Sequence, residues 1–313
     1  MNALLFPGQG SQAVGMAKEL FNNFNIVKKI FNQADDKLNF KISKIILDGP
    51  EEELQLTKIT QPAILTVSHS IFNVMKSEFE FDFKNFNFFC GHSLGEYSAL
   101  VCSSSLDFSD AVYLLHERGK AMQDAVPVGQ GSMIAVLGIK INEINDLLNK
   151  NDKIEGVCEI ANDNADGQVI LSGNKTKIEK IQKIFKDKKI KCIPLKVSAP
   201  FHCSLMKPAA EKMKSKIESI NFSKPIFPII SNVTAKPEES TDLIKKLLIE
   251  QIYSTVKWRE SLINMSNRGI KNFIEIGPGK ALTGMVKRTI KNSKSYSINS
   301  ITDITNLINE LKK

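Results

Sequence analysis

Long hydrophobic runs, closely spaced cysteines and a basic leader are all missing from this 313-residue chain. No apolar run approaches the length of about eighteen residues that a membrane span needs, which argues against a membrane-embedded protein. The five cysteines form no C-x-x-C pair, so neither a disulfide framework nor a zinc site is indicated. The first six residues carry no basic side chain and lead directly into Pro7-Gly8, unlike a signal peptide. We therefore expect a cytoplasmic protein with reduced thiols and no bound metal.

Arginine is scarce as well, and the cationic character of the chain comes almost entirely from lysine. The formal net charge is +8, which favours anionic partners such as cofactor phosphates or an acidic protein. The lysines are dispersed, with no dense basic block interleaved with aromatics, so nucleic-acid binding is not indicated. A compositional bias of the genome would give the same excess of lysine. Hydrophobic residues at 42% and charged residues at 24% are ordinary for a soluble chain with a large core.

The order of the predicted elements is that of an α/β protein. Outside residues 131–197, helices are predicted at 26–38, 61–76, 109–125, 205–220 and 281–290, and strands at 3–6, 86–90, 226–231 and 272–276. The first strand leads into the glycine-rich turn Pro7–Gln12, and loops at strand ends are where functional sites gather.

Residues 131–197 follow a rhythm of their own. Strands are predicted at 133–139, 157–161, 168–171 and 190–197, with helices at 141–149 and 175–185. The resulting order, βαββαβ, is typical of a ferredoxin-like unit. We therefore predict an α/β-hydrolase-like core with a parallel sheet, formed by residues 1–130 and 198–313. The ferredoxin-like subdomain is inserted into this core, with a cleft between the two parts.

The pentapeptide Gly91-His92-Ser93-Leu94-Gly95 matches the G-x-S-x-G nucleophile elbow and lies between a predicted strand and a predicted helix. Such an elbow projects the serine hydroxyl out of the sheet, and the glycines two residues away on either side avoid collisions of Cβ atoms. The backbone N–H of Leu94 lies at the helix start, where unpaired donors and the helix dipole favour an anion. The pattern indicates acyl transfer or hydrolysis through Ser93.

A serine nucleophile needs a base, which in this class is most often a histidine. Two of the four histidines, His69 and His116, fall within helical patterns, and the side chain of His92 diverges from that of its neighbour Ser93. We predict that His202 is the base, with a capping or packing role as the alternative. It precedes a predicted helix, whose N-terminus would lower its pKa and keep the imidazole neutral. No Asp or Glu between serine and histidine sits on an evident strand-end loop, which favours a histidine oriented by a carbonyl group.

Arg118 interrupts the apolar stripe of its predicted helix, at a position where the helical period calls for a hydrophobic residue. A buried guanidinium requires an anion, and its planar fork suits a carboxylate. We predict that Arg118 points inward, toward the carboxylate of a ligand or, as the alternative, toward an internal salt bridge.

Several segments occur in one order along nearly the whole chain. They comprise residues 6–12, 60–63, 91–97, 118–123, 167–173, 199–202, 251–253 and 275–279. Together these segments resemble the malonyl-CoA:acyl-carrier-protein transacylases of fatty acid synthesis. An inserted ferredoxin-like subdomain is a feature of that family too, in agreement with the βαββαβ pattern.

The resemblance implies a ping-pong acyl transfer. Ser93 would take the malonyl group from the CoA thioester, with His202 as base and then acid. The serine ester would then pass the group to the phosphopantetheine thiol of acyl carrier protein, which is an acidic partner. The backbone amides of Gln9 and Leu94 would form the oxyanion hole.

The remaining assignments also follow from the resemblance. Arg118 would pair with the malonyl carboxylate, and the backbone carbonyl of Gln251 would orient the histidine. Asn162 corresponds to an asparagine that lines the site, with a turn role as the alternative. Phe201 resembles a bulky residue that disfavours branched acyl groups. Coenzyme A enters only as the substrate thioester, so no separate cofactor is expected, and we expect a monomer that binds neither membrane nor nucleic acid.

Three alternatives share some of these features. A thioesterase or serine esterase would use the same Ser93 and His202 but release the acyl group to water. An acyltransferase for another dicarboxylic acyl-CoA would retain Arg118. A non-catalytic acyl-CoA-binding protein would have no need of the intact serine, histidine and glycines.

Overall fold

The computed structural model describes residues 1–197 and 199–311. Ser198, where the predicted boundary between the two parts falls, and the last two residues lie outside this range. Within the described residues the strands are β1 Asn2–Phe6, β2 Phe86–Gly91, β3 Gly131–Leu137, β4 Cys158–Ala165, β5 Gln168–Asn174, β6 Lys191–Pro194, β7 Ile229–Ile230, β8 Pro237–Glu238, β9 Asn272–Ile276 and β10 Lys294–Ile298. The helices are α1 Lys18–Asn23, α2 Asn25–Leu38, α3 Ile42–Asp48, α4 Glu51–Leu54, α5 Thr57–Ser77, α6 Gly95–Cys102, α7 Phe108–Asp124, α8 Ile141–Lys150, α9 Lys175–Asp187, α10 Lys207–Ser219, α11 Thr241–Gln251, α12 Trp258–Asn267, α13 Ala281–Thr289 and α14 Ile301–Leu311.

The larger sheet has the strand order β10-β9-β1-β2-β7-β8. Its first five strands run parallel and β8 pairs antiparallel with β7, so the predicted parallel sheet is confirmed. The central strand β1 is covered on both faces, as is usual for parallel sheets. Leu4 and Phe6 enter the large core that the helices α2, α5 and α7 help to form. Ala3 and Leu5 point the other way, into a core around Trp258.

The smaller sheet is antiparallel and has the order β4-β5-β3-β6. Its elements occur along the chain as βαββαβ, the order that the sequence predicts. One face packs against α8 and α9 through the core residues Ile134, Val136, Ile144, Val169, Leu171, Ile178, Ile181 and Phe185. On the opposite face, Met133 and Ile170 join the large core and line a cavity between the two sheets.

Strand β4 fastens the small sheet to the rest of the molecule. The N–H of Val256 donates to the carbonyl of Ala161 over 2.8 Å, and Val256 accepts from the N–H of Asp163 over 3.0 Å. The buried carboxylate of Asp163 also meets the guanidinium of Arg259, with Nε–Oδ1 and Nη2–Oδ2 distances of 2.9 Å. Because this is a fork-to-fork ion pair, it fixes orientation as well as distance. These contacts hold β4 in place, and β4 forms one wall of the cavity between the two sheets.

Several predicted elements differ in their bounds from those observed. The strand predicted at 190–197 is limited to β6, the strand predicted at 157–161 extends to Ala165 as β4, and the helix predicted at 61–76 begins at Thr57 as α5. Two other elements also differ. The strand predicted at 226–231 is reduced to β7, because Pro225 and Pro228 lack the N–H groups that a longer ladder would need. The helix predicted from position 205 starts as a short 3-10 turn at Ser204–Met206 and becomes α10 at Lys207.

Several elements have no predicted counterpart, namely α1, α3, α4, α11, α12, α14, β8 and β10. Among the described residues, no helix combines the length and the apolarity that crossing a membrane requires. The five cysteines are free thiols; Cys90, Cys102 and Cys203 are buried, and Cys158 and Cys192 are half-buried.

Candidate active site

Ser93 lies on the sharp turn between β2 and α6, with φ at +53°. A serine in this left-handed region is strained, and the surrounding structure must hold it there. A Cβ on Gly91 would lie 1.9 Å from the backbone carbon of Gly95, and one on Gly95 would lie 2.2 Å from the carbonyl oxygen of Phe6. Both glycines are therefore required for the close approach of strand and helix, as the sequence pattern predicts.

Ser93 and His202 form a hydrogen-bonded pair. The Oγ of Ser93 lies 2.8 Å from Nε2 of His202, and Nδ1 of the same ring lies 2.9 Å from the backbone carbonyl oxygen of Gln251. A carbonyl can only accept, so Nδ1 carries the proton and Nε2 accepts from the serine hydroxyl. The imidazole is thus in the tautomer that a general base needs.

Burial, together with the nearby charge of Arg118, lowers the pKa of His202 to about 3. The direction agrees with the sequence-based expectation, but the main cause is burial and not a helix N-terminus. Helix α10 begins only at Lys207. The imidazole is accordingly neutral at physiological pH and able to accept a proton.

The side chain of Arg118 points inward and is 1% exposed. Its Nη1 donates to Oε1 of Gln61 over 2.7 Å, and its Nη2 donates to Oε1 of Gln251 over 2.9 Å and to Oγ of Ser93 over 3.2 Å. No carboxylate of the described residues forms an ion pair with it. The internal salt bridge considered from the sequence is therefore not formed within the described part of the chain. The cation is held by neutral oxygens.

Two residues without a predicted role complete the support of the elbow. Asn232, fully buried, accepts from the N–H of Ser93 over 2.7 Å and donates from Nδ2 to the carbonyl of Gly91 over 2.7 Å. Oε2 of Glu96 accepts from the N–H of Asn232 over 3.1 Å and from Nε2 of Gln251 over 2.7 Å. The only sequence signal for Asn232 is that it follows a short hydrophobic strand, at the sheet edge where parallel strands end.

Glu96 is buried in this network, and burial raises its pKa to about 7, although hydrogen bonds from Gln251 and Asn232 oppose the shift. Glu96 connects α6 with the strand-end loop of Asn232 and with the end of α11.

The backbone N–H groups of Gln9 and Leu94 lie near the nucleophile. Neither has an acceptor among residues 1–197 and 199–311. Gln9 lies in the turn after β1, and Leu94 is the N-cap of α6. Both residues line the same cavity as Ser93. Unpaired donors at a helix start favour a negatively charged oxygen.

The cavity that these groups share has a volume of about 230 Å³ and lies between the two sheets. Six of the predicted site residues line it, namely Ser93, His202, Gln9, Leu94, Arg118 and Asn162. The seventh, Gln251, is buried behind His202 and Arg118. Apolar side chains complete the wall, among them Met122, Met133, Ile170, Leu195, Val197 and Phe201.

The other histidines do not contact the Ser93 hydroxyl. Nε2 of His92 lies 2.8 Å from Oδ1 of Asn164, so its ring braces the elbow against β4. His69 stacks on Phe108 within the core, where burial lowers its pKa to about 4. Nδ1 of His116 lies 2.9 Å from the carbonyl of Lys58.

The arrangement brings a hydroxyl nucleophile, a neutral base, two backbone N–H groups without an acceptor among the described residues and a cation without a directly paired carboxylate to one cavity. Ser93 can attack a carbonyl carbon in this cavity, and the two backbone N–H groups can stabilise the oxyanion that forms. Since the cation contacts the nucleophile itself, an acyl group with a carboxylate close to its carbonyl carbon fits best.

Residues 3–312 match the family model described as the acyl transferase domain. A malonyl CoA-acyl carrier protein transacylase of Bacillus subtilis (strain 168) is 42% identical over 313 residues, which cover 99% of this chain and 97% of the relative. The crystal structure of an acyl-carrier-protein-S-malonyltransferase from Bartonella henselae superposes with a TM-score of 0.96 at 39% identity, covering 100% of this chain and 99% of the other. A malonyl-transacylase in complex with a type II PKS acyl-carrier protein superposes with a TM-score of 0.94 at 37% identity, covering 99% of each chain.

Proposed function

This chain belongs to the acyl transferase domain family, and we propose that it transfers the malonyl group of malonyl-CoA to the phosphopantetheine thiol of an acyl carrier protein. The observation that carries the proposal is the position of the Ser93 hydroxyl, which lies within hydrogen-bonding distance of both His202 and Arg118. The product would supply the extender units of fatty acid synthesis.

In the first half-reaction Ser93 becomes acylated. Its Oγ attacks the thioester carbonyl carbon while Nε2 of His202 takes the hydroxyl proton. The negative charge that develops on the carbonyl oxygen is stabilised by the backbone N–H groups of Gln9 and Leu94. When the intermediate collapses, the carbon–sulfur bond breaks and the coenzyme A sulfur leaves with the proton from His202. A malonyl ester of Ser93 remains.

In the second half-reaction the carrier arm enters the emptied cavity. Its thiol gives a proton to His202 and its sulfur attacks the ester carbonyl. The same two N–H groups stabilise the second oxyanion, and the Ser93 oxygen leaves with the proton that His202 returns. The backbone carbonyl of Gln251 supports the imidazolium that forms transiently, because it accepts from Nδ1 throughout.

Arg118 would select the acyl group. A malonyl carboxylate can accept two parallel hydrogen bonds from the guanidinium fork, in a cavity whose wall is largely apolar. An acetyl group offers no such acceptor, so it forgoes a charge-assisted interaction of roughly 2–3 kcal/mol. The cation does not lose all its partners in that case, since Gln61 and Gln251 still accept from it. Phe201 and Asn162 would shape the wall on either side of the acyl chain.

The architecture fits a two-part assignment. Residues 1–130 and 198–313 would form an α/β-hydrolase-like catalytic domain. Residues 131–197 would form a ferredoxin-like subdomain, which is supported by the antiparallel order β4-β5-β3-β6. We propose that the enzyme is a cytoplasmic monomer, uses coenzyme A only as the substrate thioester and needs no further cofactor. The net charge of +8 suits an acidic carrier protein as partner.

The proposal is tested by following malonyl-CoA consumption with and without holo acyl carrier protein. We expect that malonyl-carrier protein accumulates much faster than free malonate when the carrier is present. Steady release of free malonate at the same rate with or without the carrier would identify a thioesterase instead.

A further inference from the structure

Arg118 differs from most buried cations in the kind of group that holds it. A guanidinium removed from water normally pairs with a carboxylate. Here the two groups that fix its terminal nitrogens are the side-chain amides of Gln61 and Gln251, at 2.7 and 2.9 Å. Both glutamines are as deeply buried as the arginine itself.

The amide oxygen of Gln61 accepts a hydrogen bond from Arg118, whereas its amide nitrogen faces apolar side chains. Nε2 lies 3.8 Å from the sulfur of Met122, which is a weak acceptor at best. Gln61 lies on α5 and Arg118 on α7, two helices that pack side by side in the large core. A glutamate would fit the same space and would give a stronger partner for Arg118. The chain nevertheless places the neutral isostere there.

The amide of Gln251 separates Arg118 from the acidic group of this network. Its oxygen accepts from Arg118, while its nitrogen donates to Oε2 of Glu96 over 2.7 Å and to the backbone carbonyl of Ser93 over 3.1 Å. These two acceptors fix the orientation of the amide, because a flipped amide would face a carboxylate and a carbonyl with its oxygen. The hydrogen-bond path from Glu96 to Arg118 therefore runs through the amide, and the two side chains interact otherwise only through their charges.

We propose that Gln61 and Gln251 are specificity-determining residues, whose amide oxygens position Arg118 without neutralising it and thereby keep its charge available for the carboxylate of the acyl group. The inference rests on the proposed function of the site and extends it to two side chains. A carboxylate at either position would neutralise the guanidinium and compete with the carboxylate of the substrate.

The test is the substitution Gln61→Glu, which replaces the amide nitrogen by oxygen and changes little else in shape. We expect kcat/KM for malonyl transfer to fall by about 100-fold, because an internal ion pair replaces the one made with the substrate. Acetyl transfer should fall much less, by at most about tenfold, because the acetyl group has no carboxylate to place on the cation and only the contact of Arg118 with Ser93 is affected. The malonyl-to-acetyl ratio is the readout, since a merely structural defect would lower both rates together.

The matched control is Gln61→Met, which removes the oxygen but adds no charge. Arg118 then keeps its positive charge and its second amide, so malonyl transfer should fall by at most about tenfold. Equal effects of the two substitutions on malonyl transfer, or an unchanged malonyl-to-acetyl ratio in Gln61→Glu, would overturn the proposal.

A second pair of variants guards against misfolding of the first. Gln251→Glu and Gln251→Met keep the backbone carbonyl that accepts from His202. Both lose the donor to Glu96 and to the Ser93 carbonyl, so both should lower the absolute rates, but only Gln251→Glu should lower the malonyl-to-acetyl ratio. Failure of Gln61→Glu to fold would also overturn the proposal, because the carboxylate at that position has the buried cation as its partner. If the unaltered enzyme is not acylated by malonyl-CoA, the proposed function itself fails; if it is acylated but the ratios do not change, only the role of the glutamines fails.

Discussion

The guanidinium of Arg118 donates from Nη2 to the hydroxyl oxygen of Ser93 over 3.2 Å. The nucleophile and the buried cation of this site are therefore in direct contact before any substrate is present. An ester of Ser93 places the end of a three-carbon diacid next to the same guanidinium, since only two bonds separate its carbonyl carbon from the far carboxyl carbon. We therefore expect this one distance to select both the chain length and the charge of the acyl group.

Arg118→Ala should separate the two kinds of substrate. We expect malonyl transfer to lose about 100-fold in kcat/KM, while acetyl transfer is unchanged or improves, because only the malonyl group uses the fork. The rates of both acyl-CoA esters can be compared by rapid-quench kinetics. Arg118→Lys keeps the charge but not the planar fork. Its kcat/KM for malonyl transfer should lie between those of the unaltered enzyme and Arg118→Ala. Equal losses on both substrates would disprove the carboxylate-binding role.

His202 should remain neutral well below the pH at which an ordinary histidine titrates. Burial lowers its pKa to about 3, so its ring resonances should not shift between about pH 8 and 5. NMR of the ring-labelled protein measures this, and Gln in place of His202 (H202Q) identifies the signal. An inflection near the usual histidine pKa would contradict the buried environment.

The same shift has a consequence for stability. The pKa of His202 is lower in the folded protein than in the unfolded chain, which therefore binds the proton first. The stability that the neutral ring contributes is lost as the pH falls from the ordinary value of 6.5 toward about 3. H202Q should therefore show a weaker decline in its free energy of unfolding over that range, measured in urea at several pH values. If the free energy of unfolding declined equally in H202Q and in the unaltered chain, groups other than His202 would account for the acid sensitivity.

Asn232→Ala should destabilise the elbow at Ser93, although the two residues are 139 positions apart in the sequence. It would leave the N–H of Ser93 and the carbonyl of Gly91 without their partner, at a cost of roughly 3 kcal/mol in the free energy of unfolding. Acylation of Ser93 should slow as well, because the strained turn loses a support. Asn23→Ala, on the surface of α1, serves as the control and should change stability by less than about 0.5 kcal/mol. Equal stability of the two variants would refute the bracing role.

Two glycine-to-alanine substitutions should act in opposite directions. Gly95→Ala forces a Cβ to within 2.2 Å of the carbonyl oxygen of Phe6, and we expect a loss of about 4 kcal/mol or more. Gly284→Ala, within α13, meets nothing within 4 Å and should raise stability by about 0.5–1 kcal/mol through the helix propensity of alanine. Thermal or urea unfolding compares both with the unaltered chain. A tolerated Gly95→Ala would contradict the close packing of β1 against α6.

The parts of this site that the sequence predicts are those whose physics is local. The elbow of Ser93 is recognisable because its glycines, strand and helix are contiguous, and Arg118 because it breaks a helical stripe. The elements of the small sheet occur along the chain in the predicted order, because each of them has its own hydrophobic period. In contrast, β10 is half-exposed over most of its length and carries only a weak pattern.

The support of the site could not be predicted in the same way. Asn232 lies 139 positions from Ser93, and Gln251 lies 155 positions from Glu96, so no local pattern links either pair. The pKa of His202 is low because the ring is buried, and its burial is evident only once the whole core is assembled. The short length of β7 is different, since Pro225 and Pro228 in the printed sequence already argue against a longer strand.

Intact-protein mass spectrometry after brief exposure to malonyl-CoA tests the central claim most directly, followed by peptide mapping of the modified residue. We predict one malonyl group per chain, attached to Ser93, absent from Ser93→Ala and removed on addition of holo acyl carrier protein. A malonyl group on another residue, or full modification of Ser93→Ala, would contradict the account.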